Sequence, residues 1–343
     1  MSTEPRDPLI ASLRERIDEA LGPHLPTDRP VALVDYPNHP NTGDSAIWMG
    51  EVAYLRSRGV RVAYTCDFAS YSEQRLRERV GDGTILLHGG GSVGDVWQET
   101  QLFRERVIAS FPGNKVVQLP QTIHFEARQN VERARSVFDA HPDLTLLVRD
   151  QTSLKIAQEE FRTASVACPD MAFALGRLER TGSPSCDVLW LSRTDVEARH
   201  SAEGQLPPGV QRADWLEQHG SEAPWRVLRG ATKVAARRIA NHPALARPLS
   251  GPLSRLQGPM AGQRVRAGAE LLGSGRAVIT DRLHGHILSL LLGIPHVLLD
   301  NTYGKLRSFY EAWTSGSQLA RWAESPEEAL VLAQDLARDL PPR

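Results

Sequence analysis

The repeated alternation of short apolar runs with helix-forming segments is the feature that most constrains how this chain can fold. The runs that read as buried strands come in two series, separated by a long stretch without them. Parallel strands need crossovers that return to the same edge of the sheet, and the intervening segments can supply helices. We therefore predict a doubly wound parallel sheet from the first series. Its runs are VALVDY (31–36), VRVAYT (60–65), TILLHGGG (84–91), KVVQLPQ (115–121), LTLLVRD (144–150) and TASVACPDMAFAL (163–175).

The alternation starts again after residues 177–186, which have the composition of a linker. DVLWLSRTD (187–195) and the block 275–301 give strand, turn, helix, turn and strand, so we predict a second Rossmann-like domain. The predicted divisions, in chain order, are an N-terminal amphipathic helix (1–28), a first Rossmann-like domain (29–180), a second one (181–330) with an insert at about 199–273, and a C-terminal tail (331–343).

The insert has a local charge that the whole chain lacks. Lys+Arg 40 against Asp+Glu 41 leaves the chain near neutral, so no overall field favours nucleic acid as a partner. Between Ala223 and Ala269, however, there is no acidic residue among many arginines. One interpretation is a solvated basic loop. The other is a surface that docks on an anionic membrane, where each basic residue contributes about 1 kcal/mol.

The remaining composition bears on the compartment. Cys66, Cys168 and Cys186 lie far apart and lack the spacing of a zinc or redox site, so we predict three buried thiols in a reduced compartment. The N-terminus has no apolar core typical of a signal peptide, and no stretch approaches the roughly 20 apolar residues that cross a bilayer. We expect a cytoplasmic protein, located at the inner face of the membrane if the insert docks there.

Ligands of open α/β sheets bind outside the carboxyl ends of the strands, so we expect the site residues in the loops there. In NHPNTGDSAIW (38–48), Asn41 and Asp44 open a helix whose free N–H groups suit an anion or a sugar hydroxyl, although Asp44 as a plain N-cap is the alternative. LLHGGGSVGDVW (86–97) has His88 followed by glycines that permit close approach of a ligand, or simply a turn. Those glycines are Gly89, Gly90 and Gly91.

Two further strand ends carry polar side chains. In QLPQTIHF (118–125), Gln121 and His124 are candidates to hold sugar hydroxyls. Arg149, at the end of the next predicted strand, can grip a carboxylate or phosphate with two N–H groups. Pairing of Arg149 with a neighbouring acid is the alternative interpretation.

The most informative segment is TDRLHGHILSLLLGIPHVLLDNTYGKL (280–306). Arg282, His284 and His286 crowd one predicted turn from strand to helix, and Lys305 follows the next strand. An arginine with an imidazole at a helix start can bind phosphate and transfer a proton in one place. His286 is the weaker of the two histidines. No metal-binding motif occurs, so we expect no metal.

Taken in order, these motifs resemble the polysaccharide pyruvyl transferase family, and most closely its exopolysaccharide branch. The resemblance covers about Val31 to Trp313 and includes NTGDSAIW, HGGGSVGD, QLPQTIHF, CPDMAF, DRLHGH and NTYGK. It implies a GT-B-like pair of Rossmann-like domains facing a cleft, phosphoenolpyruvate as co-substrate with no other cofactor, and a saccharide acceptor that is either free or lipid-linked. The insert departs from the family pattern, so the resemblance assigns it no role.

The resemblance also implies roles for the candidate residues. Arg282 and His284 match the essential Arg-Leu-His motif of the family, and Lys305 matches a donor-loop lysine. With Arg193, Arg149 and His286 as further donor contacts, His284 would deliver a proton during formation of a pyruvate ketal. Acceptor contacts would come from Asn41, Asp44, His88, Gly89, Gly90, Gly91, Gln121 and His124. Two alternatives stay open: a glycosyltransferase that uses a nucleotide sugar, and a non-catalytic regulator on a degenerate transferase fold.

Overall fold

A computed structural model describes residues 8–193, 206–218, 223–300 and 304–339 of the chain. Its strands follow the predicted apolar runs closely, because these runs are buried on both faces of a sheet. The strands are β1 (Val31–Val34), β2 (Val62–Cys66), β3 (Thr84–Leu87), β4 (Gly90–Gly94), β5 (Val116–His124), β6 (Leu144–Val148), β7 (Ala164–Ala167), β8 (Cys186–Leu191), β9 (Val210–Ala213), β10 (Gly275–Thr280), β11 (His296–Leu298) and β12 (Ala320–Trp322).

Helices connect most of these strands. They are α1 (Pro8–Leu21), α2 (Thr42–Ser57), α3 (Glu73–Val80), α4 (Gln98–Ser110), α5 (Arg128–Phe138), α6 (Gln151–Glu160), α7 (Trp215–Gln218), α8 (Ala223–Asn241), α9 (Ala246–Gly273), α10 (Leu283–Leu291), α11 (Lys305–Phe309) and α12 (Pro326–Arg338). Short 3-10 turns at 22–24, Met171–Leu175 and Pro243–Leu245, and a π-helical turn at Tyr310–Thr314, complete the elements. The prediction of an α/β fold is confirmed.

Both sheets are parallel and have the same topology. The first has the order β2-β1-β3-β5-β6-β7, with β4 paired to β5, and the second has the order β12-β11-β10-β8-β9. When the strands of each sheet are numbered in chain order within that sheet, both sheets have the order 2-1-3 at one edge, and the later strands follow strand 3. In this arrangement the order reverses beside the first strand, and the crevice for a ligand opens there. The loops after β1 and β3 border one such crevice, and those after β8 and β10 border the other.

Four apolar clusters of buried residues hold the sheets and helices together. The largest contains residues from both sheets, such as Leu33 of β1 and Leu191 of β8, and each of the others contains strand residues of one sheet only. The predicted N-terminal amphipathic helix is α1, which buries Ile10, Leu13 and Ile17 at helical spacing. All three cysteines are buried and free, as predicted.

The region predicted as a basic insert is ordered into secondary structure where the structure describes it. It contains β9, which pairs with β8 at the edge of the second sheet, and the long helices α8 and α9. The strand is only four residues long, and its sequence VQRA gave no apolar run to identify it. At the C-terminal end, the predicted boundary between the second domain and the tail, at residue 331, falls inside a helix, because α12 runs from Pro326 to Arg338.

None of the described helices is long and apolar enough to span a bilayer.

Candidate active site

The loop after β1 leads directly into α2, and its polar residues form the helix cap. Asn41 is the N-cap, and its side-chain oxygen accepts a hydrogen bond from the Gly43 amide at 2.9 Å. Its Nδ2 donates to Asp44 Oδ2 at 2.9 Å. Burial opposes ionisation of Asp44, but His39, His284, His88 and Arg149 lie close enough to lower its pKa. The predicted helix start is thus a corner on which three imidazoles and one guanidinium converge.

Beside it, the loop after β3 places His88 in a buried pair. His88 Nδ1 lies 2.8 Å from Glu51 Oε2, and Glu51 Oε1 accepts the Gly89 amide at 2.8 Å. Both side chains are at most 5% exposed. Burial alone would lower the pKa of His88, but the Glu51 carboxylate raises it. Glu51 therefore fixes both the orientation of the imidazole and the start of the glycine loop.

The glycine loop passes close to a cation. Gly90 has φ 129°, a backbone conformation that favours glycine. A side chain at Gly91 would come within 2.9 Å of Arg149 Nη2. Because the glycines carry no side chains, the Arg149 guanidinium and the loop backbone lie next to each other, as a ligand site would require.

Arg149, at the end of β6, and His284, in the first turn of α10, share one carboxylate oxygen. Arg149 Nη1 donates to Asp170 Oδ2 at 2.6 Å, and His284 Nε2 lies 3.3 Å from the same atom. Asp170 is 1% exposed. Burial would raise its pKa, but His284 and Arg149 hold it well below the usual range. Asp170 is therefore an anion that links the end of β6, in the first sheet, to α10, the helix that follows strand β10 of the second sheet.

His284 also rests directly on α2. A Cβ at Gly43 would overlap the imidazole ring at Nδ1, so only glycine allows this approach. With Nε2 turned to Asp170, Nδ1 forms no hydrogen bond within the described residues. Asp170 holds the ring on one side, and the backbone of α2 holds it on the other. Nδ1 is the ring nitrogen that remains for proton transfer.

Arg282 and Arg193 lie at the corresponding crevice of the second sheet. Arg282 caps α10, and its Nη2 donates to Asp214 Oδ2 at 2.5 Å, with the guanidinium 5.5 Å from the Trp215 ring. The Arg193 amide donates to Asp281 Oδ1 at 3.0 Å. Burial raises the pKa of Asp281 to about 6 although both arginines oppose it. The two predicted cations thus flank one buried carboxyl group.

His286 lies in the core, and its predicted contact with the donor stays a prediction. Its ring is fully buried, with Nδ1 2.7 Å from His296 Nε2 and Nε2 2.8 Å from Thr314 Oγ1. Residues two apart on a helix point about 200° away from each other. Because His284 faces the crevice, His286 faces the core.

Gln121 is likewise turned inward, and its predicted contact with an acceptor stays a prediction. Its amide nitrogen donates to the His88 carbonyl at 3.0 Å, and its oxygen accepts the Ser92 amide at 2.9 Å. It is fully buried, so it shapes the glycine loop from behind. His124 ends β5, and its Nε2 is 3.9 Å from Glu126 Oε1 at the rim.

Lys305 is the first residue of α11, but its side chain is not among those that the structure describes. The preceding residues 301–303 of the predicted donor loop also lie outside the described residues.

Sequence reasoning missed the acids that organise these cations. Asp170, Glu51 and Asp214 each hold a candidate residue by an ion pair or hydrogen bond. Asp170 stands in CPDMAF directly after a strand, a position that could have marked it. Glu51 and Asp214 gave no such signal. Within the described ranges, no group of three His, Cys, Asp or Glu side chains is placed to hold a metal ion.

Comparison with known proteins gives a consistent family. The model of the polysaccharide pyruvyl transferase family matches residues 41–223 and 227–303. The chain is 34% identical to pyruvyl transferase 1 of Schizosaccharomyces pombe over 305 residues, which cover 84% of this chain and 71% of that protein. It is 29% identical to the putative pyruvyl transferase EpsO of Bacillus subtilis, covering 90% of this chain and 92% of EpsO.

A solved structure of a functionally uncharacterized protein from Klebsiella pneumoniae is similar in fold. The TM-score is 0.54 at 17% sequence identity, covering 91% of this chain and 99% of that one.

Proposed function

Because the chain belongs to the polysaccharide pyruvyl transferase family, we propose that it transfers the enolpyruvyl group of phosphoenolpyruvate to a saccharide and forms a pyruvate ketal. The observation that carries this proposal is the carboxylate of Asp170, shared by Arg149 and His284 at the junction of the two sheets. It sets a proton-transfer group beside cations suited to a small, doubly charged donor.

Ketal formation sets the requirements for the site. A proton adds to the methylene carbon of phosphoenolpyruvate, and the neighbouring carbon becomes electrophilic. One sugar hydroxyl bonds to that carbon and loses its proton. The bond from carbon to the phosphate oxygen then breaks, and phosphate leaves with the electron pair. A second hydroxyl closes the ketal, and its proton leaves with the phosphate. The enzyme must therefore move protons and stabilise a departing anion.

In our proposal, His284 moves the proton through Nδ1. Asp170 orients the ring, because its Oδ2 lies 3.3 Å from His284 Nε2. A placed acid or base of this kind typically accelerates proton transfer by ~100- to 10,000-fold. The position of Nδ1 above Gly43, with no hydrogen bond to the described residues, supports this assignment.

Donor binding falls to the cations at the two crevices. We assign Arg282 and Lys305 to the phosphate, and Arg149 and Arg193 to the carboxylate of the donor. Pre-placed cations stabilise charge that develops on a leaving group without reorganisation during the reaction. Asp214 supports this role for Arg282, because it fixes the guanidinium at the end of the second sheet.

The acceptor saccharide is assigned to the crevice of the first sheet. Asn41, Asp44, His88 and the glycine loop border it, and His124 lies at its rim. The GT-B-like arrangement, with this crevice and that of the second sheet facing one cleft, forms part of the proposal. Contacts between α10 and the first turn of α2 support it.

The test is phosphate release from phosphoenolpyruvate by the full chain, measured with a panel of galactosides, glucosides and mannosides, and mass spectrometry for a pyruvate adduct. We expect release that depends on the acceptor, together with an adduct. Arg282→Ala should abolish release, whereas Arg237→Ala, an exposed arginine on α8, should leave it unchanged. Turnover of a nucleotide sugar without phosphoenolpyruvate would refute the proposal and favour a glycosyltransferase.

A further inference from the structure

Helix α8 has one side turned to the protein and one side turned to solvent. Thr232, Ala236 and Ile239 are at most 6% exposed and recur at helical spacing. Val227, by contrast, is 73% exposed and Val234 is 53% exposed. Because seven residues make almost two full turns of a helix, the two valines lie in one row along the outer side of α8. Single exposed apolar side chains are ordinary at protein surfaces, so the surroundings of this row decide what it can bind.

The surroundings of the valine row are small and basic. Ala231 is exposed between the two valines, and Arg238 is exposed one turn after the second valine. Lys233 is exposed along one flank of the row. The charge of Arg229, partial burial and the charge of Arg237 all lower the pKa of Lys233, as expected where positive charges accumulate. This surface is the outer face of α8, and it consists of Val227, Ala231, Val234, Lys233 and Arg238.

The sequence of α8 and α9 contains almost no acid to balance this charge. From Ala223 to Ala269 there is no Asp or Glu. Helix α12 is the contrast, because it exposes Val331 at 59% but begins with Glu327 and Glu328. The outer face of α8 is therefore complementary in charge to an anionic surface, and α12 is not.

The outer face of α8 belongs to the folded body of the protein. Leu228 of α8 is partly buried and packs against the cluster that contains Met260 of α9. Farther along α9, Arg264 Nη1 donates to the Pro37 carbonyl at 2.9 Å, in the loop that follows β1. The valines and basic residues are thus presented on a packed helix, which fixes their arrangement.

We propose that the outer face of α8 docks on an anionic lipid bilayer, with α8 lying in the plane of the membrane surface. The valines enter the boundary between headgroups and acyl chains, and the basic side chains bind anionic headgroups. Lys and Arg bury their alkyl stems at this boundary while their charged ends stay among the headgroups. A soluble polyanion would use the cations but not the valines, and an apolar protein surface would use the valines but not the cations. A bilayer with anionic headgroups uses both.

Docking also has a consequence for the acceptor, which rests on the proposed function, whereas docking itself does not. A saccharide that is carried on a lipid is confined to the membrane surface. A docked chain meets such an acceptor more often than a chain in free solution does.

Flotation of the full chain with lipid vesicles tests docking without any turnover, so its outcome is independent of the proposed function. We expect binding to vesicles of equimolar phosphatidylcholine and phosphatidylglycerol, and little binding to phosphatidylcholine alone. Lys233→Gln combined with Arg238→Gln should lower the partition coefficient by about 25-fold, because each basic residue near the surface contributes about 5-fold. Lys155→Gln, at an exposed lysine of α6, is the matched control and should change the partition coefficient little.

The contribution of the valines is measured in the same assay. Val227→Ser combined with Val234→Ser should weaken binding to the anionic vesicles by about 10-fold, because less apolar surface leaves water. Val331→Ser, at the exposed valine of α12, is the matched control and should not weaken it. Thermal unfolding should be nearly unchanged in all of these variants, since the replaced side chains are exposed.

Binding to neither kind of vesicle, or equal binding to both, would overturn the proposal. Wild-type binding by the variant that lacks both valines would overturn it as well, because the face would then attract anions without entering a bilayer.

Discussion

Two buried histidines of α10 lie two residues apart and have opposite environments. His284 pairs with the carboxylate of Asp170, next to Arg149. His286 pairs with another imidazole, His296, and with the Thr314 hydroxyl. Both residues are buried, so burial does not separate them. What separates them is the partner of the ring, which is a carboxylate for His284 and another imidazole for His286.

The consequence appears in their proton chemistry. Burial lowers the pKa of His286 well below its usual value, and it lowers that of His296 to about 4. These rings therefore stay neutral at physiological pH and act as hydrogen-bonding core residues. His284 instead has the Asp170 carboxylate as its partner. A histidine suited to catalysis is therefore recognised by the group that its ring contacts and not by how deeply the residue is buried.

The largest expected effect comes from His284→Asn. If Nδ1 moves the proton, pyruvyl transfer should fall by about 100- to 10,000-fold, because general acid and base catalysis is lost. Initial rates of phosphate release measure this. Thermal unfolding serves as the control and should change little. A variant with near-normal turnover would remove the distinction between the two histidines.

Asp170→Asn should act on stability as well as on rate. It leaves the Arg149 guanidinium buried without its counter-charge, which costs about 3–5 kcal/mol when a buried pair is broken. Denaturant unfolding measures the change. Asp143→Asn is the matched control, because its ion pair with Lys115 is exposed and contributes at most about 1 kcal/mol. Equal losses in the two variants would contradict the role of Asp170.

The two histidine environments should also differ in their pH dependence. The folded pKa of His296 lies below 6.5, so its contribution to stability is complete above pH 6.5 and is lost as the pH falls toward about 4. The shift corresponds to a loss on the order of 3 kcal/mol. Asp170 also has a lowered pKa, so its contribution is lost only below about pH 4, the usual range of a carboxyl group.

Urea unfolding between pH 7 and pH 4 measures these windows. Replacing both His286 and His296 by leucine should flatten the change between pH 6.5 and pH 4. If the slope remains in that variant, the core pair is not its cause.

The smallest effect is expected from His286→Leu alone. It leaves Thr314 and one nitrogen of His296 without partners, which costs about 1–3 kcal/mol. Turnover per folded molecule should stay within about 2-fold, because the ring does not reach the crevice. Comparison of the rate with the folded fraction separates these effects. A large fall in turnover at unchanged stability would restore His286 to the site.

Much of the fold could be predicted because the strands are apolar on both faces. VALVDY, TILL and LTLLV appear as β1, β3 and β6, since a doubly covered sheet leaves little room for polar residues. The edge strand β9 escaped prediction, because VQRA has neither length nor apolar pattern. Prediction therefore works best for central strands and worst at the edges.

The site was predictable at the level of loops and less so at the level of side chains. His284, Arg282 and Arg149 stand where the strand ends indicated. Asp170 lies 114 positions from His284, and only the packing of the two sheets brings them together. Helical periodicity could have predicted that His284 and His286 lie on opposite sides of α10. The inward turn of Gln121 depends on the path of the glycine loop, which no local pattern determines.

The glycines of α2 bear on how closely this helix can pack. A side chain at Gly43 would overlap His284, and one at Gly50 would overlap the Met171 carbonyl. The backbone of α2 therefore packs against the His284 side chain of α10 and against the backbone of the 3-10 helix Met171–Leu175. Any side chain introduced at Gly43 or Gly50 would therefore push α2 away from His284 or from the Met171 carbonyl.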